Sequence, residues 1–241
     1  MLVLSKCWIT LWRNLMSSPT KTPQTLKELL DLIPGEKKEI FEQLEPGVRV
    51  YLVNHRGMNY GLFVNPPGRP NLFKTETILK YSEGLKLFKK LKLPVFSFVD
   101  TPGADPRVAE NDKGMIRELN ELAMNIMDYP YFKMGVVHGR CYGGASIVCF
   151  PYFFGGQPVV ALEGSNIGIM GNQIISKLLS SSKRLHAVWE MNAAMECDDL
   201  SDYVDVGLIE KVMSVDEFVR EFRHRLDWLR LGDSVDAVIH S

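Results

Sequence analysis

Two apolar runs that each end in a glycine turn constrain this chain more than any other feature. The first is Pro94-Val95-Phe96-Ser97-Phe98-Val99, which leads into Asp100-Thr101-Pro102-Gly103-Ala104. The second covers residues 131–137 and leads through His138-Gly139-Arg140-Cys141-Tyr142 into Gly143-Gly144-Ala145-Ser146. A run that is apolar at nearly every position cannot leave one face in water. Such runs belong to strands covered on both sides, the grammar of a parallel α/β sheet. The intervening segments fit. Ile78, Leu79, Tyr81, Leu85, Phe88 and Leu91 recur at helical spacing, as do Met115, Ile116, Leu119, Leu122, Ala123, Ile126 and Met127.

The turns themselves suggest chemistry. Glycine admits positive φ and lets a ligand approach the backbone closely. If a helix follows each turn, its first N–H groups have no internal partner and sit at the positive end of the helix dipole. Two such turns side by side aim backbone donors at one point and hold an oxyanion without a catalytic side chain. The alternative is a pair of tight turns that serve packing alone.

Elsewhere the order of elements is legible. Thr25-Leu26-Lys27-Glu28 is a capping box, so a short helix is expected over residues 26–32, ended by Pro34-Gly35. Pro46-Gly47 marks a turn, and β-type runs at residues 48–53 and 60–64 flank Arg56-Gly57 as a hairpin. Asn65-Pro66-Pro67-Gly68-Arg69-Pro70 reads as a rigid loop. Residues 145–150 suit a buried helix start, and residues 158–162 and 166–170 two short strands. A mostly helical segment over 174–200 carries Lys183-Arg184, and residues 215–229 form a final amphipathic helix. The expected division is an N-terminal extension with a short helix over 1–45 and one domain over 46–241.

Composition narrows the partners. Apolar residues make up 46% and charged residues 24%, enough to bury a core, and a net charge of −1 gives no basic excess for nucleic acid. Cys7, Cys141, Cys149 and Cys197 form no CxxC and no paired framework, which points to a reducing, cytoplasmic compartment and against a cysteine-built zinc site. Residues 1–15 are too short and too charged to span a membrane. With Lys6, Arg13, Lys21 and Lys27 and no acidic residue before Glu28, the N-terminus has the composition of a transit peptide, or of a surface or partner-binding helix.

Side chains offer less. His138 reads as a structural, hydrogen-bonded histidine, and Cys141 as an inert thiol for want of a base. Asp100 is expected to cap its turn, Asp105 and Glu110 to be polar loop residues. Arg107 and Arg140 suit either a phosphate or carboxylate group or plain solvation. Ser146, just inside a helix after Gly-Gly-Ala, is similar to the nucleophile of Clp-type serine proteases. Residues 167–173, where that family places its histidine, hold none.

The motifs together resemble a known family, the carboxyltransferase subunits of biotin-dependent acyl-CoA carboxylases within the crotonase superfamily. The resemblance runs from Gly61-Leu62-Phe63-Val64-Asn65 to about Val212. It rests on residues 93–103, on Gly114-Met115-Ile116-Arg117, on Tyr142-Gly143-Gly144-Ala145, on Ile167-Gly168-Ile169-Met170-Gly171 and on Tyr203-Val204-Asp205. It is closer to the α-type subunit, or C-terminal half, of these enzymes. The resemblance implies an α/β, ClpP/crotonase-like ββα superhelix. It further implies that carboxybiotin on a separate carrier protein supplies the carboxyl group to the enolate of an acyl-CoA of the acetyl- or propionyl-CoA type. Biotin itself then takes the substrate proton, and backbone amides hold the two carbonyl oxygens.

On that resemblance Gly143, Gly144 and Ala145 form the oxyanion hole, and Gly103, Ala104, Tyr142, Met170 and Gly171 contact substrate. Coenzyme A enters as part of the substrate, and the absence of Met-Lys-Met implies that the biotin sits on another chain. One crotonase-like unit implies a β-type partner chain and a hetero-oligomer. Asp105-Pro106-Arg107 departs from the family's aromatic-and-glycine continuation. Two other readings stay open: a malonate or malonyl-thioester decarboxylase subunit using the same amides, and a non-catalytic assembly subunit.

Overall fold

The structure is a computed structural model, and it describes residues 22–69, 71–151, 154–156, 159–168 and 200–239. Its centre is an eight-stranded mixed sheet in the order β1-β2-β3-β4-β5-β6-β8, with β7 paired to the far end of β5. The strands are β1 (Glu36–Ile40), β2 (Arg49–His55), β3 (Met58–Val64), β4 (Val95–Thr101), β5 (Lys133–Tyr142), β6 (Val159–Leu162), β7 (Asn166–Gly168) and β8 (Ile209–Met213). The first three pair antiparallel, and every pairing from β3 onward is parallel.

The apolar runs are buried on both faces, as expected of covered strands. On one face lie Phe63, Val95, Val99 and Val137 with Ile78, Tyr81, Leu85, Phe88, Leu122 and Ile126. Those last six come from α2 (Thr75–Lys90) and α4 (Met115–Met127). On the other face Tyr60, Leu62, Phe96, Phe98 and Val136 meet Leu29 and Ile33 and, from the C-terminal helix, Phe218, Phe222 and Leu226. These belong to the region of α1 (Leu26–Leu32) and to α5 (Val215–Ile239). The period-two alternation of β4 thus sends Phe96 and Phe98 to one layer and Val95 and Val99 to the other.

Local signals hold at several points. Thr25 Oγ1 accepts from Glu28 N at 3.2 Å, while Glu28 reaches back one residue further than a standard capping box, to Gln24 N at 2.8 Å. Arg56 and Gly57 both take positive φ, +52° and +87°, as the two-residue hairpin turn requires. The final helix runs on to Ile239, beyond the expected 229.

Strand β1 is a departure. Glu-Lys-Lys-Glu-Ile carries no apolar alternation, yet it forms the edge of the sheet, where exposed charges at Glu36 and Lys38 guard against edge-to-edge pairing. Glu39 on β1 pairs with Arg49 on β2 across the strands. The helices expected after the two glycine turns also differ. The expected helix α4 begins eleven residues after Ala104, behind the five-residue α3 (Val108–Asp112), and the second turn runs into a seven-residue 3-10 helix, Gly143–Cys149, so neither turn opens directly into a long α-helix. Neither supplies the long dipole that a strand-turn-helix unit would carry. The helical reading of 174–200 and the site residues Met170 and Gly171 lie outside the described residues.

Candidate active site

The two glycine turns do lie side by side at the carboxyl ends of β4 and β5. Val99 pairs with Val137 and Thr101 with Cys141, so β5 spends three residues opposite the single Asp100. This bulge has a visible cause. A Cβ on Gly139 would stand 2.6 Å from Asp100 Cγ, so only glycine lets the carboxylate lie against β5. Asp100 Oδ1 then accepts from Arg140 N at 2.9 Å and Arg140 Nε at 2.8 Å, and Oδ2 from Arg140 Nη2 at 3.2 Å. Arg140 Nη2 also donates to Arg69 O at 2.6 Å. Asp100 therefore ties the two turns together rather than capping its own, because β5 presents both an amide and a guanidinium to it.

Behind this pair stands Asn65, whose Nδ2 donates to Gly47 O at 2.7 Å and whose Oδ1 accepts from Asp100 N at 3.3 Å. His138 Nε2 donates to Asn65 O at 3.1 Å. Burial pushes the His138 imidazole down to about 4, against the pull of the Asp100 carboxylate. The histidine is neutral and structural, as expected. Asp105 and Glu110, expected as loop residues, are buried. Asp105 is held by Arg107 Nη2 at 2.5 Å, which keeps its carboxyl below the usual range. Glu110 accepts from Thr75 N at 3.0 Å at the start of α2, which lowers its carboxyl likewise. Both arginines thus meet carboxylates of their own chain.

The first turn is fully wired. Gly103 has φ +102°, its N–H donates to Thr101 Oγ1 at 3.3 Å, and its carbonyl accepts from Phe73 N at 2.9 Å. A Cβ on Gly103 would lie 3.2 Å from Tyr142 O, which places the first turn directly against the second. Ala104 is exposed, and Asp105 N closes the turn on Phe73 O at 2.9 Å.

The second turn opens onto space. Gly143 and Gly144 line a cavity of about 500 Å³, together with Cys141, Ser146, Ile167 and Tyr203. Gly143 takes φ +60°, while Gly144 is exposed and has the Leu119 side chain as its neighbour at 3.5 Å from a hypothetical Cβ. The first three amides of a 3-10 helix lack partners within it, so N–H groups are offered at this mouth without an α-helix behind them. Ala145 is fully buried in the core and fixes the turn by packing. Tyr142 is half-buried beside Gly168. Gly103, Ala104 and Tyr142 are not part of the cavity wall.

No acid–base pair stands over the turn among the described residues. The titratable side chains that line the cavity are Cys141, Cys149 and Tyr203. Tyr203 is committed to Ile167 O at 3.0 Å. Ser146 reaches the cavity, but none of the described histidines lines it, and His186 lies outside the described residues. Among the described residues no group of three or more His, Cys, Asp or Glu converges to hold a metal ion, and no helix is long and apolar enough to cross a membrane. What sequence reasoning missed was the pairing of Cys141 with Cys149, which brings their sulfurs to 3.3 Å. Their eight-residue separation matches no motif, and only the return of the 3-10 helix onto β5 joins them.

The family described as "Carboxyl transferase domain" matches residues 72–214, a span that contains both glycine turns. The propionyl-CoA carboxylase beta chain of Rhodococcus erythropolis is 27% identical over 148 residues, 60% of this chain and 31% of that one. Among solved structures, transcarboxylase 12S superimposes with a TM-score of 0.68 at 18% identity, covering 89% of this chain and 47% of that chain. The beta subunit of P. aeruginosa geranyl-CoA carboxylase gives 0.66 at 16% identity, over 88% and 46%. Likeness at such identities establishes the fold, which is the ClpP/crotonase-like α/β architecture expected from the sequence. The chain spans about a third of the curated relative and under half of these structural ones.

Proposed function

The chain belongs to the carboxyl transferase domain family, and on that premise we propose that it is the α-type unit of an enzyme that moves a carboxyl group to or from an acyl-CoA. The observation that carries the reading is that the family's match brackets both turns, of which one opens on a cavity with no acid–base pair among the described residues. Chemistry that needs polarised carbonyl oxygens but no enzymic proton shuttle suits such a wall. When bound, biotin on a separate carrier supplies the carboxyl group and the base.

This chain's part is electrostatic. We assign the oxyanion hole to the amides of the Gly143-Gly144-Ala145 turn, of which Gly143 and Gly144 line the cavity, and there they stabilise the oxygen of a thioester as it gains enolate character. Donors of this kind contribute more to the enolate than to the neutral carbonyl, and loss of one costs about 3–4 kcal/mol in the barrier. Further substrate contacts are assigned to Gly103, Ala104, Tyr142, Met170 and Gly171 by resemblance to the family alone, the first three standing outside the cavity wall. The Asp100–Arg140 pair holds the turns in register. The cavity's apolar wall, including Ile167, suits an acyl chain such as acetyl or propionyl. A β-type chain supplies the opposite wall, and the biotin carrier docks between them.

The test uses the complex purified from source cells and assays the reaction in reverse. Malonyl-CoA or methylmalonyl-CoA is supplied with free biotin or with avidin that sequesters both free and carrier-bound biotin, and the decarboxylated acyl-CoA is followed chromatographically. Loss of the carboxyl group that depends on biotin supports the proposal. Loss independent of biotin selects the decarboxylase, and no loss with either substrate selects an assembly subunit.

A further inference from the structure

Cys141 and Cys149 are free, buried thiols with their sulfurs 3.3 Å apart. Both ends of this contact are fixed by the backbone. Cys141 sits inside β5, paired with Thr101 on one side and Ile167 on the other. Cys149 closes the 3-10 helix, and its main chain lies against β5 so tightly that a Cβ on Gly135 would meet Cys149 O at 2.0 Å. Glycine at 135 is thus the condition for the two sulfurs to meet. Both cysteines line the cavity, so a small oxidant that enters it reaches them. The seven residues between them contain the whole Gly143-Gly144-Ala145 turn.

We propose that Cys141 and Cys149 are a thiol-oxidation site at which a peroxide closes a disulfide around the glycine turn. The sulfur of Cys141 attacks one oxygen of hydrogen peroxide, the O–O bond breaks, and the thiol proton leaves with the departing hydroxide as water. The resulting sulfenic acid is attacked by the sulfur of Cys149, whose proton and the displaced hydroxide form a second water. Two thiols and one peroxide give one disulfide and two waters. The bond to Cys141 and burial push the Cys149 thiol well up, so Cys149 keeps its proton until the second step. The sulfurs have to close from 3.3 Å to about 2.05 Å, a movement within reach of side-chain rotation. The ring so formed restrains the turn amides, which couples oxidation to the candidate site without any contact to substrate.

The experiment uses the full chain with Cys7 and Cys197 replaced by serine, so that only this pair remains. Trypsin releases both cysteines on one peptide, residues 141–177. After hydrogen peroxide treatment without denaturant, the expected peptide is lighter by two hydrogens, takes up no alkylating reagent and is restored by a reductant. In the further C141S variant that mass loss disappears. Hydrogen exchange at the amides of residues 143–145 is expected to slow about tenfold in the oxidised chain. Full alkylation of both thiols, a gain of oxygen on the peptide, or disulfides between chains overturns the site, and unchanged exchange overturns its coupling to the turn. Turnover enters none of these readouts, so their failure leaves the carboxyl-transfer reading intact, and the reverse assay leaves this one intact.

Discussion

The two glycine turns are built from the same grammar and end in opposite conditions. At the first, Gly103 spends its N–H on Thr101 and its carbonyl on Phe73, and the Asp105 carboxylate beside it is locked to Arg107. At the second, Gly144 is exposed, Gly143 and Gly144 face a cavity, and the side chains around them are mostly apolar. One turn is a brace and the other an opening. The difference does not lie in the turns' own residues. It lies in what the rest of the fold lays beside each: the isolated bridge from Phe73 to Ala104 on one side, and on the other the cavity lined jointly by the 3-10 helix and β7.

The largest expected effect breaks the opening without touching the brace. Gly144→Val adds bulk where φ is not strained and only Leu119 stands near. Stability is expected to stay within about 0.5 kcal/mol of the parent in urea unfolding, while the reverse-reaction rate of the complex falls about 10²–10³-fold. Equal loss of stability and activity would mean that this turn, too, is a brace.

On the brace side, pH gives the next effect. His138 is buried neutral with its imidazole near 4 in the folded chain, against 6.5 for a histidine free in water. The unfolded chain therefore binds more protons between those values, and stability is present above about pH 6.5 and falls as the pH drops through the window to 4. The loss expected from this residue is about 3 kcal/mol, read as a urea midpoint that declines with acid and declines less in His138→Gln.

A smaller loss is expected from Asp100→Asn. It removes the charge that accepts three hydrogen bonds from the partly exposed Arg140, at about 2 kcal/mol in chemical unfolding. Gly103→Ala forces a side chain to φ +102° against Tyr142 O and is expected to cost about 1–2 kcal/mol. Ser146→Ala is expected to leave both stability and the reverse-reaction rate unchanged. A collapse of turnover there would reopen a nucleophilic reading of the cavity.

How much of this was legible beforehand varied with the kind of signal. The double run of apolar strands, the hairpin at Arg56-Gly57 and the helices α2 and α4 were readable because burial on a strand or helix imposes its period directly on the sequence. Strand β1 was not, since a sheet edge needs only a backbone to pair with and tolerates Glu-Lys-Lys-Glu. The site was half legible. Gly143 and Gly144 stood out as glycines at a strand end, while Asp100 looked like a local cap because its true partner, Arg140, is 40 residues away. Glu110 looked like a loop residue for the same reason, its partner Thr75 lying 35 residues away, while Asp105 has Arg107 only two residues on but is buried where its amide joins the distant Phe73.

By itself, then, the sequence determined the element types, the covered α/β sheet and the presence of two glycine turns, because these follow from local periodicity and backbone freedom. Only the tertiary structure decided which turn is tied and which is open, that Asp100 bridges them, and that Cys141 meets Cys149. The first two depend on parallel strands brought into register by long crossovers, the third on the 3-10 helix folding back onto β5. Contacts made across a crossover leave no fixed spacing in the chain that makes them.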